Sequence, residues 1–314
     1  MKYTVVDLFS GSGGFSIGFR DTGFKIAMAI DSDPSCGKTY KFNFPSTIVL
    51  VEDIKDIDGK DIAYFISRKP DIVIGSPPCE PFTGANPKRE KDPLDRLYKD
   101  PQGTLVLDFI RLVGELKPRI FVMENVPALN TSEIRESIVK EFSYIGYSQI
   151  FFNLLRAEDY GTPSRRTRLF VSNVVLKPKP TGKKVLVRDV LDDISCETDL
   201  PNNSCLYPTD RKLKRMARIV WGKALFYYQG ALKRIPNYIR LDPNDLAPTV
   251  LGSSRFLHPY ENRLLTVREQ ARLMGFPDNH VFFGDRDQQY NQVGEAVPPP
   301  LSYSIALYVR ENYT

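Results

Sequence analysis

The chain has 314 residues, of which 42% are hydrophobic and 26% charged, and its formal net charge is +5. This length fits one large domain with a smaller one, and the apolar content excludes disorder over most of the chain. No apolar run approaches the roughly 20 residues that span a bilayer. The first residues, MKYTVVDLFSG, predict a strand and a turn rather than an export signal. We therefore expect a cytoplasmic protein without membrane contact.

Seven short apolar runs follow one another through the first half of the chain. They predict strands over residues 4–10, 25–31, 47–53, 71–78, 119–127, 148–155 and 168–175. Continuous rather than alternating apolar runs are typical of strands that are buried on both faces. Segments with helical spacing lie between them, for example over 103–116 and 132–142. This alternation predicts an α/β fold with a doubly wound, mostly parallel sheet.

A glycine-rich turn follows the first predicted strand, in the sequence DLFSGSGG over residues 7–14. Such a turn lets a ligand approach the backbone closely, but Ser16 stands where a dinucleotide-binding motif has its third glycine. The second and third strands end at Asp31 and Asp53, where carboxylates can hold ribose hydroxyls and an adenine amino group. Together these features predict a cofactor that contains a nucleoside.

Reactive side chains follow the next strands. Cys79 lies between prolines in GSPPCEPF, and a stiff loop can hold a nucleophilic sulfur at one place. Glu124 follows the apolar run IFVM, so its carboxyl group should be partly desolvated and act as an acid. Arg166 and Arg168 lie on one side of an extended segment, where their guanidinium groups can hold a carbonyl or phosphate oxygen.

The other three cysteines, Cys36, Cys196 and Cys205, are interpreted as small core residues. No C-x-x-C pair occurs, so we expect no metal site. A chain without an export signal stays in a reducing compartment, so we also expect no disulfide.

The second half of the chain carries its positive charge in one window. KPKPTGKK at 177–184 reads as a connector, and nine basic residues but no acidic one lie between Arg211 and Arg240. Without that window the chain has a net charge of −4. The alternatives are a solvated helix face and a surface that binds nucleic acid phosphates. Two further helices are predicted over 261–277, with Thr266 as N-cap, and over 301–312.

The order of these motifs resembles that of the DNA cytosine-5 methyltransferases of prokaryotic restriction–modification systems. DLFSGSGG, Asp31, Asp53-Ile54, GSPPCEPF, MENVP, SRRTR, RLLTVREQARLMGFPD and QVGEAVPP follow in the family's order. The resemblance covers nearly all of the chain except about 177–250. It implies a Rossmann-like catalytic domain over 1–176 and 285–314 and a target-recognition domain over 177–284.

The resemblance also implies the reaction: transfer of a methyl group from S-adenosyl-L-methionine to C5 of a flipped-out cytosine in double-stranded DNA. Cys79 would attack C6, Glu124 would contact N3 and the amino group, and Arg168 would contact O2, with Arg166 beside it. A cognate restriction endonuclease is an expected partner, the chain is expected to be a monomer, and no metal is expected. The implied cofactor residues are Phe9, Ser10, Gly11, Gly13, Gly14, Asp31, Ser32, Asp53, Ile54, Pro78, Glu295 and Ala296.

DNA contacts are expected from the basic window, from the loop over 83–101 and from one later arginine. The loop continues directly from Cys79 and is interpreted as a lid over the flipped base. The expected DNA-binding residues are Arg89, Arg211, Lys212, Lys214, Arg215, Arg218 and Arg255.

This chain departs from the family pattern at three positions. Glu80 and Ser164 stand where the family usually has glutamine, and Glu295 stands where it usually has asparagine. Glu295 is thus expected to place an acid near the cofactor and near the loop that carries Cys79.

Three other functions fit parts of the sequence. A transfer-RNA cytosine-5 methyltransferase typically has a Cys-Phe-Thr tripeptide, which this chain lacks. The missing third glycine and the Pro-Pro-Cys loop disfavour a nicotinamide-dependent oxidoreductase. The presence of Cys79, Glu124 and Arg168 disfavours a non-catalytic DNA-binding protein.

Overall fold

The computed structural model describes residues 3–205, 207, 209–231 and 234–314. Its centre is a seven-stranded sheet in the order β3-β2-β1-β4-β5-β7-β6. The strands are β1 (Thr4–Leu8), β2 (Lys25–Asp31), β3 (Ile48–Val51), β4 (Ile72–Gly75), β5 (Ile120–Asn125), β6 (Phe151–Arg156) and β7 (Thr167–Ser172). Five of the seven lie within their predicted ranges, β6 ends one residue after its range and β7 begins one residue before its own. The predicted α/β fold class is confirmed.

The sheet is parallel from β3 to β5, and β7 runs antiparallel to both of its neighbours. Because β7 is reversed, its first residues lie at the edge where β5 ends. The carboxyl ends of the parallel strands and the start of β7 therefore form one edge, where open α/β sheets bind their ligands.

Helices cover both faces of the sheet. The helices of the first half are α1 (Gly14–Asp21), α2 (Pro34–Asn43), α3 (Gly59–Phe65), α4 (Pro93–Tyr98), α5 (Leu105–Leu116) and α6 (Ser132–Tyr144). Those of the second half are α7 (Val187–Leu191), α8 (Asp210–Met216), α9 (Val267–Leu273), α10 (Arg286–Glu295) and α11 (Pro299–Tyr313). α1 packs against α11 on one face, and α5 and α6 cover the other.

A second sheet of three strands lies in the second half, in the order β10-β9-β8. These strands are β8 (Ala224–Gln229), β9 (Arg234–Arg240) and β10 (Phe256–Leu257). Phe256 and Leu273 belong to the same hydrophobic cluster as Phe15 of α1 and Leu301 of α11. The second half is thus packed onto the main sheet's helices, while the domain boundaries remain a prediction.

The helix predicted over 261–277 is shorter in the structure. α9 begins after Thr266, whose hydroxyl accepts a hydrogen bond from the Glu269 backbone N–H, as predicted for an N-cap. The residues before it are not helical because their backbone pairs with β10: the Leu265 N–H donates to the Phe256 carbonyl, and the Arg263 carbonyl accepts from the His258 N–H.

The cysteine prediction is wrong for two of the four residues. The structure joins Cys196 and Cys205 in a disulfide that closes a loop with a sequence separation of 9. Neither residue is a buried core residue. The sequence did not identify them as a disulfide pair because their spacing fits no metal-binding or redox motif. Cys36 is free and buried, as expected.

Candidate active site

The glycine-rich turn has a backbone shape that depends on its glycines. Gly13 has a φ of 86°, and a Cβ there would lie 2.5 Å from the Phe44 ring. Gly11, with a φ of 51°, has nothing within 4 Å of such a Cβ, so the turn is open on that side. Phe9 also adopts a positive φ, of 56°, which is uncommon for a non-glycine residue and occurs at ligand sites.

Ser16 is buried and supports this turn through hydrogen bonds. Its hydroxyl donates to the buried Asp7 carboxyl at 2.6 Å, and the Tyr40 hydroxyl donates to Ser16 Oγ at 2.6 Å. Burial raises the pKa of Asp7 to about 8. The residue that replaces the third glycine is therefore part of a hydrogen-bonded support for the turn.

Asp31, the last residue of β2, hydrogen-bonds to the glycine-rich turn. Its Oδ2 accepts a 2.7 Å hydrogen bond from the Gly11 backbone N–H, and its Oδ1 accepts one from Asp33. Burial raises the pKa of Asp31, against the effect of these two hydrogen bonds. Ser32 beside it is exposed, and Ser10 is buried with its N–H donating to the Ile30 carbonyl.

Asp53 and Ile54 lie at the end of the next strand along the same edge. Asp53 is exposed and accepts a hydrogen bond from the Lys55 N–H. Ile54 is buried, and its carbonyl accepts from Arg111 of α5 at 2.9 Å. This places an exposed carboxylate and an apolar side chain next to each other.

Residues of the last two helices and the segment between them pack against the glycine-rich turn. The Ser12 hydroxyl donates to the Gln292 carbonyl at 3.1 Å, and a Cβ on Gly14 would lie 2.5 Å from the Val297 carbonyl. Glu295 ends α10 and Ala296 follows it. The final motif therefore packs directly against the first.

The segment over 75–82, called the nucleophile loop for the role expected of Cys79, is held by a side chain that the sequence analysis did not single out. Asn125, fully buried at the end of β5, donates from Nδ2 to the Pro77 carbonyl at 2.9 Å. After Cys79 the chain turns sharply, with the N–H groups of Phe82 and Thr83 both bonded to the Cys79 carbonyl. The only sequence signal for Asn125 was its place in MENVP beside Glu124.

Glu124 and Arg168 form a buried ion pair. Arg168 Nε lies 3.0 Å from Glu124 Oε1, and the side chains retain 11% and 7% of their exposure respectively. Burial raises the pKa of Glu124, although Arg168, Arg166 and a hydrogen bond with Ser76 act in the opposite direction.

Arg166 lies deeper than Arg168. Its side chain is buried, its Nη1 donates to the Val250 carbonyl at 3.0 Å, and its Nε has no hydrogen-bond partner among the described residues. Burial first, and then Arg168, lower the pKa of Arg166 to about 9.

These groups act on the Cys79 thiol. Burial raises its pKa to about 12, Glu80 and Glu124 contribute to the increase, and Arg168 and Arg166 oppose it. The structure thus brings Cys79, Glu124, Arg166 and Arg168 within electrostatic range of one another at the carboxyl edge. Pro78 is half-buried beside them.

The basic surface is formed by α8 and the residues after it. Arg211, Lys212, Lys214, Arg215 and Arg218 are all exposed. Arg240, the last cation of the basic window, is instead buried and donates to five acceptors, among them the Met216 carbonyl at the end of α8. It holds α8 onto β9, so this part of the window does not face solvent. Lys233 of the same window lies outside the described residues.

Two other arginines expected to contact DNA make contacts within the protein. Arg89 is half-buried and donates to the Phe82 carbonyl at 2.9 Å. Arg255 is buried and donates to the Pro236 carbonyl of β9. Their DNA contacts remain a prediction. Near Arg89, the Ala231 N–H donates to the Gly84 carbonyl, so the loop over 83–101 contacts the segment after β8.

The described part of the chain contains neither a metal-binding cluster nor a helix that could span a membrane. No group of three or more histidine, cysteine or acidic side chains there is placed to hold a metal ion. Among the same residues, no helix has the length and apolar character needed to cross a membrane.

Comparison with known proteins identifies the family. The family profile of the C-5 cytosine-specific DNA methylases matches residues 3–310. The chain is 50% identical to "Putative type II methyltransferase M.MJ0563P" of Methanocaldococcus jannaschii, over 98% of this chain and 99% of that protein. It is 34% identical to the type II methyltransferase M1.HphI of Haemophilus parahaemolyticus, over 98% of this chain and 86% of that protein.

A solved structure of a similar protein supports the same family. The crystal structure of a "putative DNA modification methyltransferase encoded within prophage" from E. coli superposes with a TM-score of 0.80 at 26% identity, covering 99% of both chains. The fold, the motif order and these relatives lead to one conclusion: the chain belongs to the C-5 cytosine-specific DNA methylases and is a DNA cytosine-5 methyltransferase.

Proposed function

We propose that this enzyme transfers a methyl group from S-adenosyl-L-methionine to C5 of a flipped-out cytosine in a short, specific sequence of double-stranded DNA, through a covalent bond between Cys79 and C6. It acts as the modification half of a restriction–modification system. The observation that supports this most strongly is the convergence of Cys79, Glu124 and Arg168 beside the turn that Gly11 and Asp31 form.

The residues of the turn fit the cofactor. The space beside Gly11 admits a ligand against the backbone, and both Asp31 oxygens keep a lone pair for ribose hydroxyls. Asp53 and Ile54 would contact the adenine, and Pro78 would border the pocket. When bound, S-adenosylmethionine supplies an electrophilic methyl group.

Cys79 activates the base. Its thiolate adds to C6, the C5–C6 double bond opens, and C5 gains the electron density that it lacks in free cytosine. Because burial raises the pKa of Cys79 to about 12, the thiol keeps its proton in the free protein and must lose it once the base is in place. After methylation, loss of the C5 proton restores the double bond and releases Cys79.

Glu124 and Arg168 stabilise the charge that develops on the ring. A protonated Glu124 donates to N3, and its raised pKa favours that form. Arg168 donates to O2, and the low exposure of both groups strengthens these interactions. A stacked cytosine cannot reach this buried edge, so the base must leave the helix at a cost of a few kcal/mol.

Bisulfite sequencing of DNA from cells that express the chain tests this proposal. We expect one cytosine in a recurring short sequence to resist conversion, and no such cytosine with Cys79→Ser. Cys36→Ser, at the other free cysteine, is the matched control and should retain methylation. Methylation by Cys79→Ser at the unmodified rate would contradict the mechanism.

A further inference from the structure

The second sheet narrows to two strands at one end. β8 is an edge strand, and β10 pairs with β9 only at the last two residues of β9. Beyond that point, among the described residues, β8 and β9 pair only with each other, over 226–229 and 234–237. We name these eight residues the β8–β9 ribbon. No further strand covers either of its outer edges in the described part of the chain.

The ribbon projects from the body of the protein. At its base, Ile239 and Arg240 of β9 are only 5% and 6% exposed. Farther along β8, Tyr227 is 50% exposed. At the far end, Gln229 and Arg234 are both exposed. Because exposure rises from the base to the far end, the far end is open to a partner.

One face of the ribbon carries an aromatic ring and two long polar side chains. Side chains alternate between the two faces of a strand, and directly paired residues share a face. Gln229 lies directly opposite Arg234, so both share the face of Tyr227. The Arg234 guanidinium lies over the Tyr227 ring, 5.6 Å from its centroid. This stacking orients a planar group that carries several donors.

The far end of the ribbon lies against the loop that continues from Cys79. The Ala231 N–H, two residues after the end of β8, donates to the Gly84 carbonyl at 2.9 Å. The Thr83 N–H donates to the Cys79 carbonyl, so the chain between Cys79 and Gly84 folds into a compact turn. The far end of the β8–β9 ribbon is therefore close to the position that the flipped cytosine takes in the proposed function.

The ribbon has the dimensions and the charge of an element that enters a DNA groove. Paired strands are about 4.8 Å apart, and the major groove of B-DNA, about 12 Å wide, admits a two-stranded ribbon. No acidic residue occurs between Arg211 and Arg240. No carboxylate of this segment therefore repels the phosphates that line the groove.

We propose that the β8–β9 ribbon enters the major groove beside the flipped cytosine, and that Arg234 recognises a guanine of the target sequence there. An arginine fork donates to O6 and N7 of guanine together, which is the most common specific contact in this groove. Adjacent base pairs are about 3.4 Å apart, so we expect this guanine within about three base pairs of the cytosine. The inference rests on the proposed function and deepens it by naming a specificity-determining residue.

A library of random-sequence DNA duplexes tests this assignment in two ways. The full chain is mixed with the library, and the bound duplexes are separated and sequenced. A second portion is incubated with S-adenosylmethionine, and its methylated cytosines are located by bisulfite sequencing. For the original chain we expect a recurring sequence in which one position near the cytosine prefers guanine roughly 10- to 100-fold, as a bidentate contact provides.

Two arginine variants separate base recognition from phosphate binding. Arg234→Ala should remove the guanine preference at that one position, and the preferences at the other positions should persist, which also shows that the variant is folded. Arg211→Ala, at an exposed arginine of α8, is the matched control. It should weaken binding to all sequences equally, keep the guanine preference and make the salt slope shallower by about 0.9. The salt slope of Arg234→Ala should stay close to that of the original chain.

Three outcomes would overturn the assignment. Arg234→Ala could keep the guanine preference, the recurring sequence could lack a guanine in the expected interval, or Arg234→Ala could weaken all sequences equally, as loss of a phosphate contact does.

Failure of the proposed function gives a different result. If the bound duplexes show a guanine preference that depends on Arg234 while no cytosine is methylated, the proposed function fails and base recognition by Arg234 stands. If cytosines are methylated in a recurring sequence whose preferences Arg234→Ala leaves unchanged, the proposed function stands and the assignment of Arg234 fails.

Discussion

Arg168 and Glu124 face each other where β7 begins and β5 ends, with arginine Nε 3.0 Å from carboxylate Oε1. The antiparallel pairing of β7 with β5 brings the two residues to the same edge. Each group compensates the charge of the other in a place with little solvent, so the loss of one leaves the other buried without its partner. In the proposed mechanism, the pair exchanges this internal contact for contacts with the flipped base.

Arg168→Ala should lower kcat roughly 100- to 1,000-fold, the usual effect of removing one donor to a developing negative charge. It should also raise the pKa of Glu124 further, because Arg168 is the strongest of the groups that lower it. Both effects are measured from kcat at saturating DNA as a function of pH.

Arg156→Ala is the matched control for this substitution. Arg156 lies at the end of β6 and forms an ion pair of 2.8 Å with Asp159, but it is largely exposed. We expect the kcat of the Arg156→Ala variant to remain near that of the original chain. Equal losses in the two variants would show that Arg168 acts through stability alone.

The Cys79 thiol should react slowly with alkylating reagents in the free protein. Because burial raises its pKa to about 12, the thiolate is scarce at neutral pH. The rate of alkylation by iodoacetamide should rise roughly tenfold per pH unit well beyond the ordinary thiol pKa of about 8.5. Mass spectrometry of the Cys79 peptide gives the rate, and a plateau near the ordinary pKa would contradict the buried environment.

The sequence predicted the strands and the residues at their ends because both depend on local patterns. β2 coincides with its predicted range, and Asp31, Cys79 and Glu124 lie at the carboxyl edge since parallel strands end together. The Asp31–Gly11 contact follows from this arrangement and is present in the structure.

What escaped prediction depends on contacts between distant residues. The charge of Arg240 says nothing about its burial, which follows from carbonyl groups that the fold collects around it. The reversed direction of β7, which places Arg168 opposite Glu124, depends on strand pairing rather than on hydrophobic pattern. The Cys196–Cys205 disulfide likewise depends on a loop closure that spacing does not encode.

Neutralising α8 should weaken DNA binding in a way that depends on salt. Replacement of Arg211, Lys212, Lys214 and Arg215 by glutamine removes four exposed cations. The slope of log Kobs against log salt should become shallower by about 0.9 for each lost phosphate contact. Fluorescence anisotropy of a short labelled DNA duplex, measured over a series of salt concentrations, gives this slope.

The control variant replaces four exposed lysines outside α8, so it loses the same positive charge as the α8 variant. Lys25, Lys60, Lys69 and Lys140 are exposed on the main-sheet domain, and their replacement by glutamine should leave the slope close to that of the original chain. An unchanged slope in the α8 variant would show that this helix faces solvent in the complex.

Asn125 should position the nucleophile loop without contacting the base. Asn125→Ala removes the hydrogen bond to Pro77 and leaves that carbonyl in a buried place without its donor. Because a shift of about 1 Å at a reacting atom costs on the order of 100-fold in rate, kcat should fall by about that factor. The Kd for DNA should change little, since the exposed cations of α8, which we expect to contribute most to DNA binding, lie elsewhere in the chain.

A purely structural role would lower kcat and DNA affinity together, so the two constants are measured on the same preparations. Asn130→Ala is the matched control: Asn130 lies in the same segment, and among the described residues its side chain makes only a 3.4 Å hydrogen bond with Arg135. The loop freed by Asn125→Ala should also expose Cys79 to solvent and so lower its pKa. Faster alkylation of Cys79 in this variant than in Asn130→Ala, at one neutral pH, would establish that Asn125 holds the sulfur in its partly buried position.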